Sequence, residues 1–248
     1  MIDLAGRVAV VTGGGGGIGS EICRRLATLG ASVVVCVAER LERAEALAGS
    51  LPGAGHLAVR ARVDDSSALA ALAALTAATY GRVDVLINAA GVTRPVPHAD
   101  LESLDDELID QIFRVNWRGS FATVRAFQTM LAAGDGGVVI NISSVAGVTG
   151  LGSNVAYCAS KAAVDSMTRS LARALAPAVR VLSVSPGWVE GEYAASMPTE
   201  LLAAQRAATP LGRLATPVDV ADAVEAALML RSTTGAIIAV DGGRPLGV

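Results

Sequence analysis

Tyr157 and Lys161 form the pair of side chains in this sequence whose types and spacing most directly suggest chemistry. They stand four residues apart in a stretch with helical character, so they share one face of it. A tyrosine hydroxyl ordinarily titrates near pH ~10, and a neighbouring ammonium group lowers its pKa by favouring the phenolate. Such a tyrosine can act as a general acid or base near neutral pH. The pair alone also occurs by chance on ordinary helices.

Polar and glycine-containing motifs stand where predicted strands end. The motif NAAG (88–91) follows one strand, NISS (141–144) ends another thirteen residues before Tyr157, and PG (186–187) ends a third. Asn116 lies within a long helical stretch instead. Because open parallel sheets bind ligands beyond the carboxyl ends of their strands, these motifs are expected to lie close to Tyr157.

A glycine-rich loop, TGGGGGIG (12–19), lies between the first predicted strand and the first predicted helix. Glycine lets the backbone turn tightly and approach a pyrophosphate closely, and the helix N-terminus adds free N–H groups and a positive dipole end. A glycine run alone is a weak signal. Its position at the first strand-to-helix turn favours dinucleotide binding over a plain turn.

The elements that must position these residues alternate between short β-branched runs and Ala/Leu-rich helical stretches. Strands are predicted at Val8–Thr12, Ser32–Val37, 56–59, 83–88, Gly137–Ile142, 180–185 and 236–240, with helices at 17–29, Ser66–Tyr80, 105–133 and 155–176. This rhythm predicts an α/β, doubly wound Rossmann fold with a single parallel seven-stranded sheet and helices on both faces. Residues 1–248 are expected to form a single domain, in which residues 187–210 are a candidate substrate lid or an ordinary surface excursion.

Composition excludes several other classes of function. Apolar residues make up 52% of the chain and charged residues 17%, with a net charge of −3 and no basic run, which argues against nucleic acid as a partner. Three widely spaced cysteines and two isolated histidines predict neither a metal site nor disulfides and fit a reducing cytoplasm. No stretch resembles a signal peptide or a membrane span, so the apolar content is expected in the core and in a subunit interface.

The combined motifs resemble those of the short-chain dehydrogenase/reductase family over essentially the whole chain. They include TGGGGGIG, NAAG, Asn116, Ser144, YCASK (157–161), PG and VDGG (240–243). The segment PLGRLATPVDVA (210–221) and the tail VDGGRPLG look most like the 3-oxoacyl-(acyl-carrier-protein) reductase branch. The resemblance implies a Tyr157 general acid/base, a Lys161 that depresses its pKa and binds the nicotinamide ribose, a Ser144 that holds the substrate oxygen, and an Asn116 that orders a water. The spacing between serine and tyrosine that is usual in the family matches Ser144 rather than Ser143.

The resemblance also implies a nicotinamide cofactor and the residues that bind it. Besides Tyr157 and Lys161, these are Gly13, Gly15, Gly16, Gly17, Ile18, Gly19, Ala38, Val63, Asn88, Ala89, Gly91, Pro186, Gly187 and Val189. A hydride would pass between the nicotinamide and the carbon of a carbonyl or secondary alcohol substrate. That substrate is a small molecule or a carrier-bound or CoA-bound acyl group, and the protein is expected to be a homotetramer.

Three positions depart from the family's pattern. Val37 and Ala38 stand where an acidic residue would hold a ribose 2′-OH, which favours NADP(H) over NAD(H), with Arg40 near enough to approach a 2′-phosphate and Glu39 acting against it. Arg62 precedes Val63 in place of an aspartate, so it either meets the adenosine or is a solvated charge. Gly191 replaces a threonine that would hold the carboxamide. These departures also motivate an alternative, a non-catalytic dinucleotide-binding or scaffold protein of the same fold.

Overall fold

The structure of the protein, a computed structural model, describes residues 2–244 apart from the side chains of Glu192 and Tyr193. Within these residues seven strands form one sheet: β1 (Val8–Thr12), β2 (Ser32–Val37), β3 (Leu57–Arg60), β4 (Val85–Asn88), β5 (Gly137–Ile142), β6 (Val179–Pro186) and β7 (Ile237–Val240). All neighbouring strands are parallel, and their order is β3-β2-β1-β4-β5-β6-β7. The predicted fold class is confirmed.

Helices cover both faces of this sheet. They are α1 (Gly17–Thr28), α2 (Leu41–Ser50), α3 (Ser66–Tyr80), α4 (Asp106–Phe113), a π-helical segment (Arg114–Gly119), α5 (Ser120–Ala132), α6 (Ala146–Thr149), α7 (Val155–Leu175), α8 (Glu192–Ala195), α9 (Thr199–Ala207) and α10 (Pro217–Met229). The sequence prediction did not include α2 or α10.

Alternating side chains of each strand enter two separate cores. Val11 of β1 packs with Leu26 of α1 and Val224 of α10 on one face, whereas Val10 packs with Leu72 of α3 and Phe127 of α5 on the other. Apolar β-branched side chains therefore suit both faces of the central strands β1 and β4, in which every residue is buried, whereas the edge strands β3 and β7 are only partly buried. The scarcity of aromatic residues follows from the same arrangement, since small side chains let helices approach the sheet closely.

Four predicted elements have the predicted boundaries, and most of the others differ at one or both ends by one or two residues. The four are Val8–Thr12, Ser32–Val37, Gly137–Ile142 and Ser66–Tyr80, and the helix predicted at 17–29 ends at Thr28. The strand predicted at 56–59 forms at Leu57–Arg60, that at 83–88 begins at Val85, that at 180–185 extends to Val179–Pro186, and that at 236–240 begins at Ile237. The predicted helix 155–176 ends at Leu175, since Ala176 precedes a proline and adopts an extended backbone.

The prediction of one continuous helix over 105–133 is wrong. The structure divides it into α4, the π-helical segment and α5. A π-helical turn carries an extra residue relative to the α-helix and shifts the faces that follow it. Helical propensity and apolar spacing do not encode this insertion, which depends on tertiary hydrogen bonds of Asn116 described below.

The candidate lid at 187–210 contains more regular structure than predicted, namely α8 and α9. No residue of α9 is buried, so this helix lies on the outside of the molecule. Residues 245–247 of the predicted tail motif lie outside the described residues. Across residues 2–244, no helix combines the length and the apolar character needed to cross a membrane.

Candidate active site

The carboxyl ends of four neighbouring strands bring distant sequence motifs to one edge of the sheet. Thr12, Asn88, Ile142 and Pro186 are the last residues of β1, β4, β5 and β6. The strand order reverses beside β1, which lies between β2 and β4. Open parallel sheets bind ligands in the crevice at such a reversal. The geometry therefore places the candidate residues where a ligand is expected.

Tyr157 lies in the first turn of α7, which Asn154 caps. The Asn154 Oδ1 accepts a hydrogen bond from the Tyr157 backbone N–H at 2.7 Å, and its amide donates to the Arg94 carbonyl at 2.8 Å. The Lys161 Nζ lies 5.7 Å from the centroid of the Tyr157 ring. The helix thus brings the ammonium beside the ring. Asn154 was not among the predicted site residues, although an asparagine directly before a predicted helix is a recognisable N-cap.

Lys161 is the only lysine among the 248 residues, and its side chain is buried. Its Nζ donates a hydrogen bond to the Ile142 carbonyl at 2.8 Å, at the end of β5. Burial lowers the pKa of Lys161 to about 8, while the negative charge of Asp165 acts in the opposite direction. The ammonium is still the main form at neutral pH, but modest changes in its surroundings change its charge.

Asn116 occupies the π-helical segment and is held by main-chain and side-chain partners. Its Oδ1 accepts from the Val92 N–H at 2.8 Å, and its Nδ2 donates to the Val92 carbonyl and to Ser160 Oγ, both at 3.1 Å. The hydroxyl of Ser120 donates to its main-chain carbonyl at 2.8 Å. These bonds hold the extra residue of the π-helical turn in place and leave the amide side chain with little capacity for water.

Ser143 and Ser144 point in different directions at the end of β5. The Ser143 hydroxyl donates to the Lys161 carbonyl at 3.2 Å, on the interior side of α7. The Ser144 Oγ accepts from the Ala146 N–H at 3.2 Å and lies 3.4 Å from the Pro186 carbonyl, toward the strand edge. The two hydroxyls therefore have different partners, and the choice of Ser144 over Ser143 stays a prediction.

Gly91, the last residue of the motif NAAG (88–91) that ends β4, lies close to Asn116 and Lys161. A Cβ added at Gly91 would lie 3.4 Å from Asn116 Oδ1 and 3.8 Å from Lys161 Nζ. Asn88 is buried and donates to Asn141 Oδ1 at 2.9 Å, and the Ala89 N–H donates to the Thr12 carbonyl at 3.2 Å. The motif at 88–91 therefore ties the end of β4 to its two neighbouring strands.

The glycine loop before α1 leaves no room for side chains at its closest approaches. A Cβ at Gly19 would lie 2.2 Å from the Gly13 carbonyl oxygen, and one at Gly13 would lie 2.7 Å from the Ala90 nitrogen. Gly13 also has a φ of +67°. In the described residues no side chain caps α1 and no acidic residue stands in its first turn. The N-terminal N–H groups and the positive dipole end are thus available, and the cradle fits a pyrophosphate.

The end of β2, beyond the glycine loop, is more open. Ala38, Glu39 and Arg40 are exposed, and Arg40, the residue before α2, has a φ of +53°. A cavity of about 250 Å³ extends from Gly15 between α1 and α2, and Arg24 and Arg43 are among the residues that line it. The surroundings of this end are therefore rich in arginine.

Arg62 does not project freely toward this cavity. Its Nε and Nη2 donate to the two carboxylate oxygens of Asp64 at 3.0 and 2.8 Å. Val63 is buried instead, and a Cβ added at Gly119 would lie 2.6 Å from its Cγ2. The two predicted alternatives for Arg62, contact with the adenosine or a solvated charge, both remain predictions. In the structure its guanidinium already has Asp64 as a bidentate partner.

The segment after β6 reaches the same edge of the sheet. The Gly187 N–H donates to the Val240 carbonyl at 3.0 Å, and Val189 forms an isolated parallel bridge with Ala215. Gly191 has a φ of +145°, and a Cβ there would meet no atom within 4 Å. A threonine side chain at 191 would thus have had space, but the glycine backbone adopts a conformation that side chains disfavour.

Comparisons with known proteins agree with this geometry. The family model of short chain dehydrogenases matches residues 7–201. The chain is 40% identical over 241 residues to the granaticin polyketide synthase putative ketoacyl reductase 2 of Streptomyces violaceoruber, with 96% of each chain covered. It is 39% identical over 246 residues to the cis-4-hydroxycyclohexanecarboxylate dehydrogenase of Sinomonas cyclohexanicum, with 97% of each covered.

Solved structures share the whole architecture. The short-chain dehydrogenase/reductase of Brucella melitensis described as a glucose/ribitol dehydrogenase superimposes with a TM-score of 0.90 at 28% identity, over 98% of each chain. Relatives named as dehydrogenases and reductases give no support to the non-catalytic alternative. The chain belongs to the short-chain dehydrogenase/reductase family and is an NAD(P)-dependent oxidoreductase that acts on CH–OH and C=O groups.

Proposed function

We propose that Tyr157 is the general acid/base of this oxidoreductase and that Lys161 tunes it. The observation that carries the proposal is the burial of the chain's only lysine beside the Tyr157 ring. A buried ammonium favours the phenolate form of its neighbour and so lowers the pKa of the tyrosine hydroxyl. Tyr157 then accepts the hydroxyl proton of an alcohol during oxidation and returns it to the oxygen of a carbonyl during reduction.

Ser144 and Asn116 complete the proposed proton-transfer end, the set Asn116, Ser144, Tyr157 and Lys161. Ser144 donates a hydrogen bond to the substrate oxygen and orients it toward Tyr157. Asn116 orders a water of the proton relay, the role that the resemblance implies, and its amide side chain is held in place by Val92 and Ser160.

The cofactor residues remain those expected from the resemblance. Tyr157 and Lys161 contact the nicotinamide ribose, and the rest of the cofactor is held by Gly13, Gly15, Gly16, Gly17, Ile18, Gly19, Ala38, Val63, Asn88, Ala89, Gly91, Pro186, Gly187 and Val189. When bound, the nicotinamide exchanges a hydride with the substrate carbon. The strand-end placement of these residues and the uncapped N-terminus of α1 support this assignment.

We further propose that NADP(H) is preferred to NAD(H). The adenosine end, which comprises Ala38, Glu39, Arg40, Arg62 and Val63, has no acidic residue at positions 37 and 38 to repel a 2′-phosphate. Arginines supply the opposite charge, with Arg40 at the start of α2 and Arg43 lining the cavity that begins at Gly15. Arginine is well suited to phosphate because its planar guanidinium can donate two parallel hydrogen bonds.

The substrate is proposed to be a secondary alcohol or ketone, as a small molecule or a carrier-bound or CoA-bound acyl group. One relative is named a ketoacyl reductase and another a dehydrogenase of a hydroxylated cyclohexane carboxylate, so both groups belong in a substrate panel. We propose a single cytoplasmic domain with residues 187–210 as its lid. The exposed, stacked rings of Trp117 and Phe121 support a homotetramer by offering an apolar subunit contact.

Tyr157→Phe tests the proposed chemistry. The variant keeps the ring beside Lys161 but loses the hydroxyl that moves the proton. Turnover of a ketone that the wild type reduces should fall by about a hundredfold or more, while the Kd for NADPH measured by fluorescence titration changes little. Wild-type turnover in the variant would refute the role of Tyr157, and Ser166→Ala, an exposed change on the same helix, is the matched control.

A further inference from the structure

Asp165 is a buried carboxyl group on the helix face that carries Tyr157 and Lys161. The three residues follow one another at intervals of four in α7, so their side chains lie in a row along one face. Only 3% of Asp165 is exposed. Fully buried aspartates are rare unless they are paired, so its presence under the proposed proton-transfer end requires an explanation.

The partners of Asp165 are those that a carboxylate ion needs. The Ser183 hydroxyl, from β6, donates to its Oδ1 at 3.2 Å. The pKa of Asp165 is raised above its ordinary value, chiefly by burial, and is partly held down by the neighbouring Ser143 and Ser183 hydroxyls and by the positive charges of Arg169 and Lys161. Hydroxyl donors satisfy the ionised form, which can only accept hydrogen bonds.

The buried ammonium of Lys161 likewise needs a partner of opposite charge. Its ammonium is buried, and its hydrogen bond to the Ile142 carbonyl supplies a dipole but no counter-charge. The neighbouring groups from other elements, Asn116 of the π-helical segment and Gly91 after β4, are uncharged. Tyr157 is the other titratable group that faces it. Asp165 is the charged group in the described structure that acts on Lys161.

We propose that Asp165 is a positioning residue that acts through space to keep Lys161 in its ammonium form, and through Lys161 sustains proton transfer by Tyr157. This rests on the proposed roles of Tyr157 and Lys161. Without the carboxylate, the buried lysine would lose its proton at lower pH, because the Ile142 carbonyl would offset the cost of burying the charge only in part and Asp165 is the counter-charge among the described residues. A lysine needs such support, whereas an arginine would stay charged in any case.

Because the chain contains one lysine, the protonation of Lys161 can be measured directly. Protein grown with lysine labelled by ¹³C at Cε gives one lysine resonance, whose chemical shift follows the charge of the ammonium as pH changes. Asp165→Asn keeps the shape of the side chain and removes its charge. The titration midpoint of Lys161 should then move down by about one pH unit. An unchanged midpoint in a folded variant would overturn the proposal.

Ser183→Ala provides a second route that leaves the carboxyl in place. Losing a hydroxyl donor disfavours the ionised form of Asp165, so the midpoint of Lys161 should move in the same direction by a smaller amount. If Asp165→Asn fails to fold, this variant decides the question, and no movement overturns the proposal. Asp110→Asn, an exposed aspartate on α4, is the matched control and should leave the midpoint unchanged.

A purely structural role for Asp165 is separated by the pH profile of kcat for alcohol oxidation. Activity should rise with pH as Tyr157 loses its proton and fall where Lys161 loses its own. Asp165→Asn should shift the alkaline limb to a pH about one unit lower. A loss of stability alone would lower kcat over the whole profile and leave the pH of the limb unchanged. The NMR titration needs no activity, so it tests Asp165 even if Tyr157→Phe refutes the proposed chemistry.

Discussion

The two ends of the proposed cofactor crevice are built differently. At the proton-transfer end, Asn116 and Lys161 are buried and each is hydrogen-bonded to main-chain atoms of a distant part of the chain. At the adenosine end, Ala38, Glu39 and Arg40 are exposed on the turn between β2 and α2. One end is fixed by packing, and the other presents charge to solvent.

This difference follows from what each end has to do. Proton transfer requires donor and acceptor within hydrogen-bond distance and a tuned pKa, so small displacements are costly. Recognition of a phosphate requires positive charge, which acts over a longer distance and tolerates several arrangements of side chains. We therefore expect single substitutions to have large effects at the proton-transfer end and graded effects at the adenosine end.

The largest effect is expected from Lys161→Met, which should abolish turnover while stabilising the fold. In the folded wild type, burial lowers the pKa of Lys161 from 10.5 to about 8. The free energy of unfolding of the wild type therefore increases as pH rises from about 8 to 10.5, and this gain is lost as pH falls back through about 8. Methionine preserves the apolar stem without the buried charge. At pH 7 the free energy of unfolding by urea should therefore exceed that of the wild type by up to about 3 kcal/mol.

The pH dependence makes this prediction specific. The advantage of the variant should shrink above pH 8 and disappear near the pKa of an unfolded lysine, because the wild-type side chain is then neutral in both states. Equal stability of the two proteins at pH 7 would show that the folded chain does not penalise the ammonium, which would weaken the contrast between the two ends.

How much of this the sequence predicts also differs between the ends. The parallel sheet could be predicted because strand ends and helical spacing are local features. The glycine loop stood out by its position at the first strand-to-helix turn, whereas the roles of Ser144, Tyr157 and Lys161 are predictions that rest on the family resemblance. The π-helical turn at Asn116 could not, since it depends on hydrogen bonds to Val92 and Ser160, 24 and 44 residues away.

The adenosine end illustrates a second limit of sequence patterns. The identity of Arg62 was visible, but its partner was not, because a bidentate pair with Asp64 depends on the backbone of the turn that joins them. Arg43 lies on a helix that the sequence pattern did not predict, so its place in the cavity near Gly15 could not be anticipated. A sequence shows which residues are charged, but it does not show the direction in which their side chains point.

An intermediate effect is expected from Arg43→Ala. If Arg43 contributes to a 2′-phosphate site, the variant should bind NADPH about tenfold more weakly, the amount expected for one partly solvated charge-assisted hydrogen bond. NADH, which lacks this phosphate, should bind as before. Fluorescence titration with both cofactors measures the ratio. Arg173→Ala, an exposed arginine of α7, is the control, and a parallel loss of NADH affinity would place Arg43 outside cofactor selection.

The smallest effect is expected from Arg62→Ala, and its size decides whether the adenosine end is already arranged before the cofactor binds. The guanidinium of Arg62 is half exposed, and ion pairs with a solvent-exposed partner contribute about 0–1 kcal/mol. Asp64 also keeps Arg114 at 3.5 Å, so stability should barely change. NADPH affinity should fall less than about threefold, since Arg62 would have to leave Asp64 to reach a phosphate. A tenfold fall for NADPH alone would mean that the pair opens on binding. The charge that selects the cofactor would then be supplied by rearrangement, whereas the proton-transfer end is fixed beforehand.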